Sequence, residues 1–305
     1  AAGASFSGSL INGYISNARV FQDTNGDGLY AVGEPFAITN SLGEFTLTGN
    51  LTNGAALIAE SSWTDSAGNA QTATDQTTGA TVTTVFTAPA GATVVSPFTT
   101  LMTAGMTEAQ IKTAFGIADD ISITSFDPIA SSKSTTATDA QKQAALQYKA
   151  ASTAVANILD LATETLTVDG DPTSAASITK IVAKSIADNV ASDGTYDIES
   201  STIVASTIND AITTSAADVG SVDIVSLSQS LSDKLVAVNT AMLTAAAGAD
   251  VDAALDSIYK AANVAQEDLS GSLKAILSPT DGADVNQLVT DLGNIDIAAA
   301  IASAV

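Results

Sequence analysis

Neither cysteine nor histidine occurs among the 305 residues of this chain. The absence of cysteine excludes disulfides and thiol chemistry, and the absence of both residues excludes the usual zinc sites. Aromatic residues make up only 5% of the chain, whereas hydrophobic residues make up 46%. We therefore expect a core of small and aliphatic side chains. No apolar run reaches the roughly 18–20 residues that a membrane-spanning helix needs, so no membrane span is predicted.

Basic residues are also scarce, with 10 Lys and Arg against 33 Asp and Glu, and Arg19 is the only arginine. The net charge of −23 argues against nucleic acid as a partner, because phosphate contacts need clustered Lys and Arg. Anionic lipid is disfavoured for the same reason. An acidic surface of this kind attracts divalent cations, and it repels copies of itself unless ions screen the charge.

The strongest positive signal is the loop Asp23-Thr-Asn-Gly-Asp-Gly-Leu-Tyr-Ala-Val-Gly-Glu34. It matches the calcium-loop pattern D-x-[DN]-x-[DN]-G-x5-E at every fixed position. Ca²⁺ binds six to eight oxygen atoms, and a glycine at the sixth position permits the sharp turn. The alternative is a polar turn that only resembles such a loop. The predicted ligands are the side chains of Asp23, Asn25, Asp27 and Glu34 and the backbone carbonyl of Leu29.

The segments on either side of this loop, 13–22 and 36–47, have the composition of β-strands rather than of helices. We therefore predict a calcium loop within a β-domain and not a helix–loop–helix sensor. The N-terminal sequence Ala1-Ala-Gly-Ala-Ser5 is typical of a processed end, which favours export. An extracellular location also suits a calcium site, because calcium is plentiful there.

The chain as a whole is predicted to be α+β with two domains, a β-sandwich over residues 1–95 and an α-helical bundle over residues 96–305. The sandwich is expected to be antiparallel, and turn signals at Asn12-Gly13, Asn53-Gly54 and Ala67-Gly-Asn69 separate its segments. Trp63, the only tryptophan, is interpreted as packing rather than as a sugar-stacking platform. The predicted strands cover residues 4–11, 14–22, 36–38, 44–48, 55–60 and 81–88.

The second half has helical periodicity from Pro97 onward. Capping boxes are predicted at Thr107-Glu-Ala-Gln110 and at Thr138-Asp-Ala-Gln141. The apolar stripe over residues 224–242 is interpreted as internal core in preference to a coiled-coil seam. Capping rather than catalysis is the predicted role of three aspartates at helix starts, which are Asp171, Asp250 and Asp296.

The calcium loop and the strands around it resemble the calcium-binding β-sandwich modules of bacterial surface proteins. The later motifs Val95-Ser-Pro-Phe-Thr-Thr-Leu101, Phe115-Gly-Ile and Phe126-Asp-Pro128 resemble the helical segment that often follows such modules in secreted adhesins and surface-layer-like proteins. The resemblance covers roughly residues 8–165. The family pattern has Asp where this chain has Asn40. A further carboxylate ligand of the pattern is therefore replaced by an amide in this chain. The resemblance implies a rigid, exported protein that assembles or adheres.

Three functions follow as hypotheses. The first is an extracellular structural protein, a surface-layer or biofilm-matrix subunit, that Ca²⁺ stabilises and that forms a filament or lattice with copies of itself. The second is an adhesin that binds a glycan, such as cell-surface polysaccharide, through an aromatic platform or an open calcium site. The third, an enzyme, is disfavoured because no catalytic fingerprint is present, and no catalytic or cofactor-binding residue is predicted. The aromatic candidates for the second are Trp63, Tyr14, Tyr30 and Tyr196.

Overall fold

A computed structural model describes residues 4–166, 172–215, 223–278 and 283–304. Within 172–215, the side chains are described from residue 175 onward. Strands occupy the first part of the chain and helices the remainder, so the predicted α+β class is confirmed. The predicted cap at Asp171 lies outside the described residues.

The described strands form three small sheets. One has the order β11-β1-β5, the second β10-β6-β3-β4, and the third β2-β8-β7 with β9 paired to β8. Their arrangement as a sandwich stays a prediction. The strands are β1 Ala4–Leu10, β2 Ile15–Ser16, β3 Arg19–Asp23, β4 Phe36–Ile38, β5 Glu44–Gly49, β6 Ala56–Glu60, β7 Ser62–Thr64, β8 Ala70–Asp75, β9 Thr81–Val82, β10 Phe86–Ala88 and β11 Val94–Val95.

The strands depart from the sequence prediction in their pairing and in the division of two predicted strands, of which 81–88 is divided into β9 and β10. β1 pairs antiparallel with β5 but parallel with β11, with Ser9 opposite Val94, so the expectation of purely antiparallel pairing is wrong. The predicted strand 14–22 is divided into β2 and β3 because Asn17 has a φ of 58°. A left-handed residue cannot continue an extended strand, and asparagine tolerates that conformation better than most residues.

The helices start close to the predicted positions. Both predicted capping boxes form, with the Thr107 and Thr138 hydroxyls each accepting from a backbone amide at 3.2 Å. Asp250 and Asp296 cap the helices that follow them, as predicted. The helices are α1 Pro97–Thr103, α2 Glu108–Phe115, α3 Pro128–Ser132, α4 Asp139–Leu166, α5 Pro172–Asp188, α6 Ser201–Ser215, α7 Ile224–Ala246, α8 Val251–Asn263, α9 Ser270–Leu277, α10 Val285–Gly293 and α11 Ile297–Ser303.

Helices α8 and α9 are continuous rather than separate, because the π-helical segment Val264–Leu269 joins them. The residues at both junctions, Asn263 and Ser270, keep right-handed helical dihedral angles. π-Helical turns are rare and often mark functional positions. This segment faces the β part of the chain, where the Thr78 hydroxyl donates to Gln266 at 2.6 Å.

One hydrophobic core joins the strands to the helices. It extends from Leu10 and Phe86 in the strands, through Phe98 in α1, to the buried face of α4. The stripe on α7 is also buried in it, with Leu231, Leu235 and others at 0% exposure, so the interpretation of this stripe as internal core is confirmed. The predicted domain boundary between residues 95 and 96 coincides with the change from strands to helices. The division into two domains stays a prediction.

Candidate metal centre

The predicted calcium loop connects two strands that are paired with each other. β3 and β4 are antiparallel, with Phe21 opposite Phe36, so Asp23 and Glu34 lie at the two ends of a closed connection. The prediction that strands flank this loop is confirmed. Because strand pairing holds both ends, the loop is presented on a rigid base.

The ligand side chains in the first half of the loop bind the loop's own backbone. The two carboxylate oxygens of Asp23 accept from the amides of Gly26 at 2.7 Å and Gly28 at 3.0 Å. The Asn25 amide oxygen accepts from the Asp27 amide at 3.0 Å. Asp27 in turn accepts from the backbone N–H two residues on, at 2.8 Å. Such short-range bonds are typical of Asx turns and keep the loop compact.

Gly28 occupies the position where the calcium-loop pattern demands glycine. Its φ is +80°, a conformation that residues with a side chain rarely adopt. No heavy atom lies within 4 Å of the position a Cβ would take, so the requirement is conformational and not a lack of space.

Glu34 is the most buried of the predicted ligands, at 7% exposure. One carboxylate oxygen accepts from the Thr24 amide at 2.7 Å and from the Thr24 hydroxyl at 3.0 Å, and the other accepts from the Ala31 amide at 2.9 Å. No lysine or arginine of the described part of the chain pairs with it. The buried Glu34 carboxylate therefore connects the two ends of the loop through hydrogen bonds.

The donor set suits Ca²⁺ in chemical type. The side chains supply hard oxygens, and a carboxylate oxygen with one hydrogen bond retains a lone pair. However, among the described residues no three His, Cys, Asp or Glu side chains are grouped closely enough to hold a metal ion. The three acidic side chains are distributed along the loop amides instead of converging on one point. Calcium binding by Asp23, Asn25, Asp27, Leu29 and Glu34 thus stays a prediction.

The only arginine lies beside this loop but neutralises a different carboxylate. The Arg19 Nε donates to Glu60 at 2.7 Å, and the guanidinium lies 4.0 Å from the centre of the Tyr30 ring. Burial raises the pKa of Glu60 above its ordinary value, although Arg19 opposes this effect. Arg19 therefore pairs with Glu60 and not with a carboxylate of the loop.

Asn40, where the chain departs from the family pattern, serves the turn between β4 and β5. Its amide oxygen accepts from the amides of Leu42 at 2.9 Å and Glu44 at 3.0 Å, and its amide nitrogen donates to the Glu44 carboxylate at 2.8 Å. Both ends of the Asn40 side chain are therefore used within that turn.

The aromatic candidates for glycan binding take part in internal contacts. The Trp63 indole N–H donates to a backbone carbonyl at 3.0 Å, and the Tyr14 hydroxyl donates to Asp127 at 3.1 Å. Tyr30 packs edge-to-face against two phenylalanines, and Tyr196 is 3% exposed. These contacts favour the interpretation of Trp63 as a packing residue.

Helix α4 also carries a group of buried polar residues that is not predicted from the sequence. Lys149 is 2% exposed and donates to the Thr153 hydroxyl at 2.5 Å, and burial lowers its pKa to about 8. Asn157 is 1% exposed, and Asp160 follows it at the edge of the core. The available signal was the spacing of three or four residues that places these side chains on one helix face.

Two further findings bear on function. No helix within the described ranges combines the length and the apolar character needed to cross a bilayer. Comparisons of the chain with protein-family models, with curated proteins and with solved structures give no match.

Proposed function

We propose that this chain is an extracellular structural protein, stabilised by Ca²⁺ at the loop 23–34, that assembles with copies of itself. In this proposal residues 1–95 form the calcium-binding β-sandwich domain and residues 96–305 form the helical bundle. A surface-layer or biofilm-matrix subunit is the corresponding type of protein. The observation that carries the proposal is the closed loop between paired strands, in which the buried Glu34 forms no ion pair with any described residue.

The residues that would hold the ion are Asp23, Asn25, Asp27, Leu29 and Glu34. When bound, Ca²⁺ supplies positive charge that offsets the three carboxylates. The paired strands hold the loop ends together before binding, so little of the backbone remains to be ordered. A ligand that binds only the folded state stabilises it by about 2.7 kcal/mol at a hundredfold excess over Kd. The role proposed for the ion is therefore structural, with no catalytic step.

Self-association is supported by exposed apolar side chains next to this loop. Four of them occur between residues 32 and 42, on the loop, on β4 and in the turn that follows. Strand β4 is also an edge strand, which offers unpaired backbone groups to a neighbouring chain. The exposures are 100% for Val32, 46% for Phe36, 37% for Ile38 and 53% for Leu42.

Calcium is also expected to favour the proposed assembly by screening the charge of the subunits. Copies that each carry a net charge of −23 repel one another, and divalent cations screen that repulsion. Assembly is therefore expected to depend on calcium and not on added monovalent salt alone. A requirement for calcium also favours an extracellular location, where calcium is abundant.

The glycan-binding adhesin is the weaker alternative. Its aromatic platform would have to come from side chains that already pack against protein atoms or bond to them. We therefore propose a second copy of the chain, in preference to polysaccharide, as the partner.

The test compares assembly and thermal stability of the full chain with Ca²⁺ and with EGTA. We expect filaments or sheets by negative-stain electron microscopy and a higher melting temperature in Ca²⁺. Asp27→Ala, which removes a ligand side chain, should abolish both responses, whereas Asp119→Ala, the same change at an exposed carboxylate on the helical side, should retain them. If EGTA changes neither assembly nor melting temperature in the wild type, the proposal is wrong.

A further inference from the structure

A small cleft lies where helix α4 meets the strand segment before β10 and the π-helical segment. It encloses about 20 Å³ and is lined by Asn157, Asp160 and Glu164 of α4, by Thr83, and by Gln266 and Lys274 opposite. A cavity of about 10–15 Å³ is the smallest that holds a water molecule. The cleft therefore has room for one water or one ion.

The side chain of Asn157 gives the first indication that the cleft holds a water or an ion. It is 1% exposed, and neither its side-chain oxygen nor its side-chain nitrogen has a hydrogen-bond partner among the described residues. A buried polar group without a partner costs about 1–3 kcal/mol, and such groups are rare in folded proteins. Because this side chain lines the cleft, an occupant of the cleft is the natural partner for its amide oxygen.

Asp160 is the second indication. It follows Asn157 by three residues on the same helix, so both side chains lie on one face. The Thr84 hydroxyl donates to its carboxylate, but none of the ion pairs within the described ranges includes it. Burial, with Glu164 and Asp75 nearby, raises the pKa of Asp160 to about 7. The charged form of this carboxylate thus has no ion-pair partner within the described ranges.

Glu164 places a second carboxylate at the cleft, one turn beyond Asp160. It pairs with Lys274 at 2.8 Å, but the Lys274 side chain is 63% exposed, so solvent weakens that pair. A water molecule alone would satisfy Asn157 and leave two neighbouring carboxylates to repel each other. A divalent cation satisfies the amide oxygen, though not the amide nitrogen, and offsets both charges.

We propose that this cleft is a second cation site, in which the Asp160 carboxylate and the Asn157 amide oxygen bind one Ca²⁺ and Glu164 contributes from the solvent side. Hard oxygen ligands of this kind suit Ca²⁺, and solvent completes the coordination at the open side. The site lies between the β part and the helices, so its occupation would link the two. It does not depend on the loop 23–34.

The experiment counts bound ⁴⁵Ca²⁺ per full-length chain by equilibrium dialysis after chelator treatment, in about 0.15 M salt to screen diffuse binding. We expect Asp160→Asn and Asn157→Leu each to lower the count by one relative to wild type. Asp256→Asn is the control, because that carboxylate is 63% exposed on α8 and carries the same charge. It should leave the count unchanged.

Circular dichroism checks that each variant is folded. If Asp160→Asn is unfolded, the ion count of Asn157→Leu decides whether the cleft binds an ion. A wild-type count in the folded variants would mean that the cleft holds only water, and the proposal would be overturned. The loop is tested separately with Asp27→Ala. If the loop proposal alone fails, Asp27→Ala keeps the wild-type count while Asp160→Asn still loses one ion.

Discussion

Replacing Glu34 with glutamine tests the loop most directly, because the carboxylate has two separable roles. In the absence of calcium it accepts three hydrogen bonds, from the amide and hydroxyl of Thr24 and from the amide of Ala31. Glutamine keeps one acceptor oxygen but presents an NH₂ group where the other oxygen was. One backbone N–H would then face another donor at a position where the side chain is 7% exposed.

The expected loss follows from these contacts. Hydrogen bonds to charged groups contribute about 1.5–3 kcal/mol each, so Glu34→Gln should lower the free energy of unfolding by about 2 kcal/mol in EGTA. At a hundredfold calcium excess the wild type gains about 2.7 kcal/mol that the variant lacks. The difference between the two proteins should therefore widen to about 5 kcal/mol in calcium.

Asp27→Ala separates the two roles. The Asp27 side chain is exposed and bonds only to neighbouring groups of the loop. Surface substitutions of this kind usually change stability by no more than about 0.5 kcal/mol. We therefore expect near wild-type stability in EGTA and loss of the calcium response.

The assay is urea unfolding followed by tryptophan fluorescence. Trp63 is the only tryptophan and lies in β7, so its emission reports on the part of the chain that contains the loop. Equal stability of Glu34→Gln and wild type in EGTA would refute the account of the buried carboxylate. An unchanged response of both variants to calcium would refute the assignment of the ligands.

Three further outcomes are expected. Gly28→Ala should destabilise the protein by about 1–2 kcal/mol because φ is +80° there, whereas Gly271→Ala, inside α9 with nothing within 4 Å, should stabilise it by about 1 kcal/mol, both measured by urea unfolding. The lowered pKa of Lys149, about 8 against 10.5, means that the unfolded state binds more protons between these values, so stability should rise with pH across that window and Lys149→Met should flatten the profile. The raised pKa of Asp160, about 7 against 3.8, has the opposite sign, so in EGTA stability should fall as pH rises between those values, and Asp160→Asn should remove that slope.

Much of the local structure follows from short-range patterns. The capping boxes at Thr107 and Thr138 form because cap and partner are three residues apart, and the loop 23–34 lies between strands because its flanks have strand composition. Other elements lack such a signal. β8 contains two alanines, a glutamine and an aspartate among its six residues and is a strand because β2, β7 and β9 pair with it. The π-helical segment that joins helices α8 and α9 is another element without such a signal.

The sequence by itself determined the α+β class, the positions of the helix caps, the excess of negative charge and the oxygen donors of the loop, because each depends on composition or on residues a few positions apart. Only the tertiary structure decided that Glu34 is buried, that Arg19 pairs with Glu60, that β1 and β11 are parallel, and that Asn157 and Asp160 line one cleft. These features arise between segments far apart in the chain. Burial and pairing depend on which surfaces meet, and no local period encodes that.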